Sequence, residues 1–215
     1  DHVSELLLCT SDVAIGHLKN EGITKGVHLV GDVMADINRS TREGLDDVHA
    51  ILAEYDLKAS KYILMTWHRA ENTDDIERLN NIASAVNTIT ETVVLPLHPR
   101  TRKALEREGI TLKSHIKVVE PLSYRRMTAL MCSSRCVLTD SGGVQKEAYW
   151  CHVPCITMRD ETEWTETVDV GWNCLVGADE KAILEAVRNY TPNVEHPVLY
   201  GDGYAAKRIA DLLKR

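Results

Sequence analysis

The stretch Thr139-Asp140-Ser141-Gly142-Gly143-Val144-Gln145-Lys146-Glu147-Ala148 follows directly on the apolar run Cys136-Val137-Leu138. A Ser-Gly-Gly turn that opens a helix offers free backbone N–H groups and the positive end of the helix dipole, which together suit a phosphate. Glycine lacks the Cβ that would hold a bulky oxyanion at a distance. The same residues would also make a plain tight connection from strand to helix, with Asp140 or Ser141 as N-cap, so the motif alone leaves both readings open. Glu147 stands within two helical turns of Ser141. That puts it in reach of a ribose hydroxyl pair, although a helix carboxylate commonly faces only water.

Comparable polar clusters occur elsewhere. Thr66-Trp67-His68-Arg69 sets an imidazole beside a guanidinium. His68 can donate to a phosphate or move a proton near neutral pH, and Arg69 can pair with an anion through two parallel hydrogen bonds. His98 and Arg100 in LPLHPRTR, and Arg159, Glu163 and Glu166 in MRDETEWTE, follow the same logic. Taken singly, each is equally well a solvated loop residue. The four tryptophans, Trp67, Trp150, Trp164 and Trp172, read as packing rather than as a base-stacking platform. No G-x-G-x-x-G follows a strand, which argues against a dinucleotide cofactor. The six cysteines show neither C-x-x-C spacing nor a histidine pair of zinc type, so they read as reduced thiols, with no metal and no disulfide framework.

The elements that must position these groups follow from the apolar pattern. Runs such as KYILMT, TVVLPL, IKVVE, RCVLT, PCITM and NCLVG alternate with amphipathic stretches of helical period. Short strands alternating with helices of about 10 to 15 residues specify βα units and a parallel sheet covered on both faces. The expectation is an α/β, doubly wound, Rossmann-like sheet from about Lys61 to Val176, whose ligand edge lies just past each strand. Every cluster named above falls on that edge. Glu21-Gly22 and Glu108-Gly109 read as helix ends, and Asp179 as the cap of the helix that follows. Residues 1–60 read as the tail of a preceding domain with a linker helix, residues 61–198 as the binding domain, and residues 199–215 as a terminal helix crossing back. The chain opens at Asp1 within structured-looking sequence and reads as part of something longer.

The 215 residues are 44% apolar and carry a formal charge of -7. That balance excludes a broad electrostatic grip on nucleic acid or on an anionic membrane, and leaves any anion to a local site. With no signal peptide and no apolar run of about 18 residues, the chain reads as cytoplasmic.

In their order, TWHRAEN, LPLHPRTR, EPLSYRRMTALM, LTDSGGVQKEA and MRDETEW resemble the C-terminal half of the non-hydrolysing UDP-N-acetylglucosamine 2-epimerases. DHVSELLLCTSDVAIGHLKNEGI is similar to the end of that family's N-terminal domain, and YGDGYAAKRIADLL to its terminal helix. The resemblance implies the C-terminal half of a glycosyltransferase B-type fold, with UDP-N-acetylglucosamine or UDP as ligand, no cofactor, and a homodimer at full length. It implies elimination of UDP and its re-addition with C2 inverted. By motif, Ser141, Gly142 and Gly143 would hold the diphosphate, Glu147 the ribose, and the loop from Leu122 to Met127 the uracil. His68 would assist departure of UDP, while Arg69, His98 and Arg159 would line a cleft or a second site. The acid and base carboxylates would lie in the N-terminal domain, mostly absent from these residues, so the fragment is expected to bind UDP with little epimerisation. Trp164 departs from the family pattern, where many members carry arginine. A B-type glycosyltransferase domain and a non-catalytic nucleotide-sugar-binding domain remain the alternatives.

Overall fold

The computed structural model describes residues 1–45 and 47–214. They form two compact units, Asp1–Gly44 with Pro197–Arg215, and Leu45–His196.

In the larger unit, alternation at a period of two decides the build. Tyr62, Ile63, Leu64 and Met65 are all fully buried, as expected of a strand covered on both faces. The elements run α3 (Val48–Glu54), β3 (Tyr62–Thr66), α4 (Ala70–Thr73), α5 (Ile76–Thr88), β4 (Thr92–Pro96), α6 (Pro99–Arg107) and β5 (Ile116–Val119). They continue with α7 (Tyr124–Ser133), β6 (Cys136–Thr139), α8 (Gly142–Trp150), β7 (Cys155–Thr157), α9 (Thr165–Asp169), β8 (Asn173–Leu175) and α10 (Glu180–Asn189). The strands lie in the order β5-β4-β3-β6-β7-β8, every neighbouring pair parallel. Ile63, Met65, Leu95 and Leu138 face a core shared with Leu79 and Ile82 of α5 and Ile183 of α10. Tyr62, Leu64, Val94 and Val137 face the other way, onto Leu52 of α3, Leu130 of α7 and Ala148 of α8. This is the doubly wound parallel sheet expected from the sequence. Its order reverses between β3 and β6, where Thr66 stands in register with Thr139. In open parallel sheets the ligand crevice lies outside the strand ends at such a reversal.

Within residues 33–55 the chain forms α2 (Val33–Glu43), which ends on Gly44, and α3, which Asp47 caps by accepting the Ala50 N–H at 2.9 Å. The compact units divide after Gly44 and after His196. The physical reason is the apolar face of α3: Leu52, Ile51 and Tyr55 join the core beneath β3 and α7, and Arg126 forks onto Glu54 at 2.7 and 3.1 Å.

The smaller unit pairs β1 (Leu7–Cys9) with β2 (Val27–Leu29) in parallel, with α1 (Asp12–Asn20), α2 and α11 (Ala205–Leu213). Asp36 of α2 accepts the Ala205 and Ala206 N–H groups at 2.9 and 2.7 Å. A carboxylate at that end satisfies donors that the helix itself cannot, which fixes α11 on α2. Among the described residues no helix is long and apolar enough to cross a membrane.

Candidate functional site

The polar groups at the reversal are assembled by the two central strand ends. Thr66 Oγ1 and Thr139 Oγ1 lie 2.5 Å apart, and Thr139 Oγ1 accepts the Ser141 N–H at 2.9 Å. Asp140, fully buried, accepts the Arg69 N–H at 2.8 Å and the His68 N–H at 3.0 Å, with Asn72 Nδ2 at 3.4 Å. Asp140 therefore ties the loop after β3 to the turn after β6 and does not cap α8. The N-cap is Ser141, whose hydroxyl makes no capping bond. Sequence reasoning gave Asp140 a capping role at most, since the partners that define its function are about 70 residues away. A carboxylate directly after a buried strand was the signal available.

His68 Nδ1 sits 3.5 Å from Asp140 Oδ1. Burial lowers the His68 pKa, with His98 and Arg69 adding to that and Asp140 opposing it, a shift that favours the neutral ring. Burial raises the Asp140 carboxyl, while the Arg69 and His68 N–H groups and the His68 ring hold it back. His98 caps α6 by accepting the Arg100 N–H on Nδ1 at 3.1 Å, and its ring centroid lies 5.5 Å from that of His68.

Gly142 faces a wall. A Cβ placed there would lie 3.4 Å from Arg69 Nη2, 3.5 Å from Trp164 Nε1 and 3.6 Å from Glu163 Oε2, whereas a Cβ at Gly143 would meet open space. Arg159, buried, holds Glu163 at 2.8 and 3.1 Å and approaches Glu71 at 3.3 Å. The Arg159 guanidinium keeps the Glu163 carboxyl down at about 2. Arg159 thus holds an acidic loop in place. Beneath the wall, Lys146 Nζ stands 3.7 Å from the Trp164 ring centroid and 5.8 Å from that of Trp150, a cation between two indoles. Gln145, fully buried, accepts from Thr162 at 2.6 Å and Asn173 at 2.9 Å, which anchors α8 to the segment carrying Trp164.

The structure thus brings His68, Arg69, His98, Ser141 and Gly142 to one place, with Arg159 behind the wall. Glu147 lies half-buried farther along α8, its pKa pushed up to about 7 by burial against the pull of Lys146. Leu122 and Met127 join the apolar cluster beneath α7 and α8, as does Val144.

A doubly wound parallel domain, with an open helix N-terminus, an imidazole and a guanidinium at the strand-order reversal, is of the Rossmann-like class that receives ligands at that edge. The family model for UDP-N-acetylglucosamine 2-epimerase matches residues 1–214, and the chain belongs to that family. It is 44% identical over 223 residues to the UDP-2,3-diacetamido-2,3-dideoxy-D-glucuronate 2-epimerase of Pseudomonas aeruginosa, covering 100% of this chain and 61% of that protein. It is 42% identical over 220 residues to a UDP-N-acetylglucosamine 2-epimerase homolog of Methanococcus maripaludis, covering 100% and 62%. The crystal structure of Methanocaldococcus jannaschii UDP-GlcNAc 2-epimerase in complex with UDP-GlcNAc and UDP aligns over 100% of this chain and 62% of that one, at 34% identity and TM-score 0.86. The chain therefore spans about three fifths of the length of these relatives. Its architecture is that of the matching part of their glycosyltransferase B-type fold.

Proposed function

We propose that this chain is the UDP-holding part of a nucleotide-sugar 2-epimerase, which at full length interconverts UDP-N-acetylglucosamine and UDP-N-acetylmannosamine by eliminating UDP and adding it back. The observation that carries the reading is the Ser141-Gly142 turn opening at the strand-order reversal, with Arg69 beside it and His68 tied to the same Asp140. Ser141, Gly142 and Gly143 receive the diphosphate, Glu147 the ribose, and the Leu122–Met127 loop the uracil. Arg69 lies within reach of the same anion, and His98 sets the far side of His68.

The chemistry follows from charge. UDP leaves as an anion, so N–H donors aimed at it stabilise the elimination transition state more than the bound substrate. A neutral His68 gains basicity when a diphosphate arrives beside it, and the resulting imidazolium, with Asp140 behind Nδ1, supplies a proton to the departing oxygen. Abstraction of the C2 proton needs a positioned carboxylate. Around the turn, Asp140 is committed to backbone N–H groups and Glu163 to Arg159, so neither serves as that base. The base belongs to another part of the full-length protein.

The test has two arms. Titration calorimetry of this chain with UDP should show one site, and NMR of UDP-N-acetylglucosamine in heavy water should show little exchange at C2. No UDP binding would refute the reading, and robust exchange would move the base into this chain, with Glu147 the first residue to replace. The 44% identity to the P. aeruginosa enzyme favours a second reading of the sugar, a 2,3-diacetamido uronic acid carried on UDP. Competition of that nucleotide sugar against UDP-N-acetylglucosamine separates the two.

Two glycine substitutions probe the turn. Gly142 and Gly143 occupy the first turn of α8 without a positive φ, so alanine at either place should leave the free protein as stable or up to about 1 kcal/mol more stable. UDP affinity should nonetheless fall at least tenfold for Gly142→Ala, whose methyl would fill the space beside Arg69 and Trp164. Thermal melts read the first quantity and calorimetry the second. Unchanged UDP affinity would take the diphosphate away from this turn.

A further inference from the structure

Two of the six thiols stand apart from the rest. Cys132, half-buried near the end of α7, and Cys151, nearly buried at the C-cap of α8, have their Sγ atoms 2.8 Å apart, in direct contact. Cys136, Cys155 and Cys174 lie on three successive strands of the sheet, and Cys9 lies on β1 in the smaller unit. Cys136 and Cys155 belong to opposite cores. Burial pushes the Cys136 thiol up to about 11 and that of Cys155 to about 12, which keeps both protonated and unreactive. Contact between two thiols, one of them reachable from solvent, is the arrangement in which oxidation of the first is resolved by the second.

We propose that Cys132 and Cys151 form an oxidation site, a dithiol that a peroxide converts to a reversible disulfide joining the C-terminal ends of α7 and α8. The Cys132 thiolate attacks one peroxide oxygen, giving a sulfenic acid and one water. The Cys151 thiolate then attacks the sulfenic sulfur, forming the S–S bond and releasing the second water. The two thiols lose two electrons and two protons, which the peroxide takes up. A small dithiol reverses the step by exchange.

The position gives the bond a defined consequence. Each helix runs back from the ligand edge, so the cross-link lies at the opposite edge of the sheet, at the base of the two helices whose first turns carry Met127 and Gly142. The bond staples the sheet face that holds Leu130, Met131 and Ala148 and leaves the edge at Ser141 open. Oxidation of this pair does not depend on which nucleotide the chain binds.

The chain is treated with hydrogen peroxide, unfolded, labelled with a maleimide and mapped by tryptic mass spectrometry. The labelled thiols should fall from six to four, with one cross-linked peptide pair containing residues 132 and 151, and dithiothreitol should restore six. The oxidised protein should melt at a higher temperature than the reduced one. Cys132→Ser and Cys151→Ala, each checked for native circular dichroism, should keep all five remaining thiols free of cross-links. Six labelled thiols after oxidation, a cross-link through another cysteine, or a cross-link that survives in either variant would overturn the proposal.

Discussion

Asp140→Ala is expected to destabilise the larger unit by about 3 to 4 kcal/mol in urea unfolding, because it strands two backbone N–H groups that only this carboxylate accepts. The side chain is fully buried and holds the His68 and Arg69 N–H groups at 3.0 and 2.8 Å, so water does not replace it. Asp140→Asn should cost less, about 1 to 3 kcal/mol, since Oδ2 accepts both N–H groups and an amide oxygen in its place keeps them, while the amide nitrogen replaces Oδ1, 3.1 Å from the His68 N–H. Asp140→Ala releases the loop after β3 from the turn after β6, and Asp140→Asn loosens that tie. UDP affinity in the surviving folded protein should then fall with stability, because His68 and Arg69 are aimed by that same clamp. Asp140→Ala with wild-type stability would show that the clamp contributes nothing to the fold.

Glu147 gives the opposite sign of stability effect. Burial raises its carboxyl from 4.5 to about 7, so the folded state binds a proton that the unfolded state has already lost between those values. The charged form is the costly one in the fold. The penalty is absent below about pH 4.5, grows as pH rises, and is complete above pH 7. Glu147→Gln should therefore stabilise the protein by about 2 to 3 kcal/mol at pH 8 and hardly at all at pH 4. The same substitution, and Glu147→Ala with it, should weaken UDP binding by about 1 to 3 kcal/mol, the range for losing a charged hydrogen-bond partner. Urea unfolding at the two pH values and calorimetry with UDP measure the two halves. A gain in stability with unchanged UDP affinity would leave Glu147 outside the site.

Local chemistry made much of the fold legible. Tyr62-Ile63-Leu64-Met65 admits no exposed face, and so specifies a strand between two helical layers. Gly22 and Gly109, at φ 79° and 65°, end helices where the residue type alone said they would. Asp179 caps α10 by accepting the Ala182 N–H at 2.7 Å. The stretch between Val33 and Tyr55 was harder to read, because its apolar residues suit one long helix. Only packing shows that Leu52 turns to the sheet while Asp36 is held by the start of α11.

The candidate site divides the same way. That His68, Arg69, His98 and Ser141-Gly142-Gly143 share one edge follows from strand ends in a parallel sheet, since βα connections always return the chain to the same side. The amino-acid sequence by itself thus determined the doubly wound class and the strand-end edge at which these residues gather. Tertiary structure alone decided what those residues are free to do. Arg159 is spent on Glu163, Lys146 lies between Trp150 and Trp164, and Asp140 serves the backbone of the neighbouring loop. Each of these commitments joins groups distant in sequence or on different elements, and depends on distances of a few ångströms that residue type and spacing do not encode.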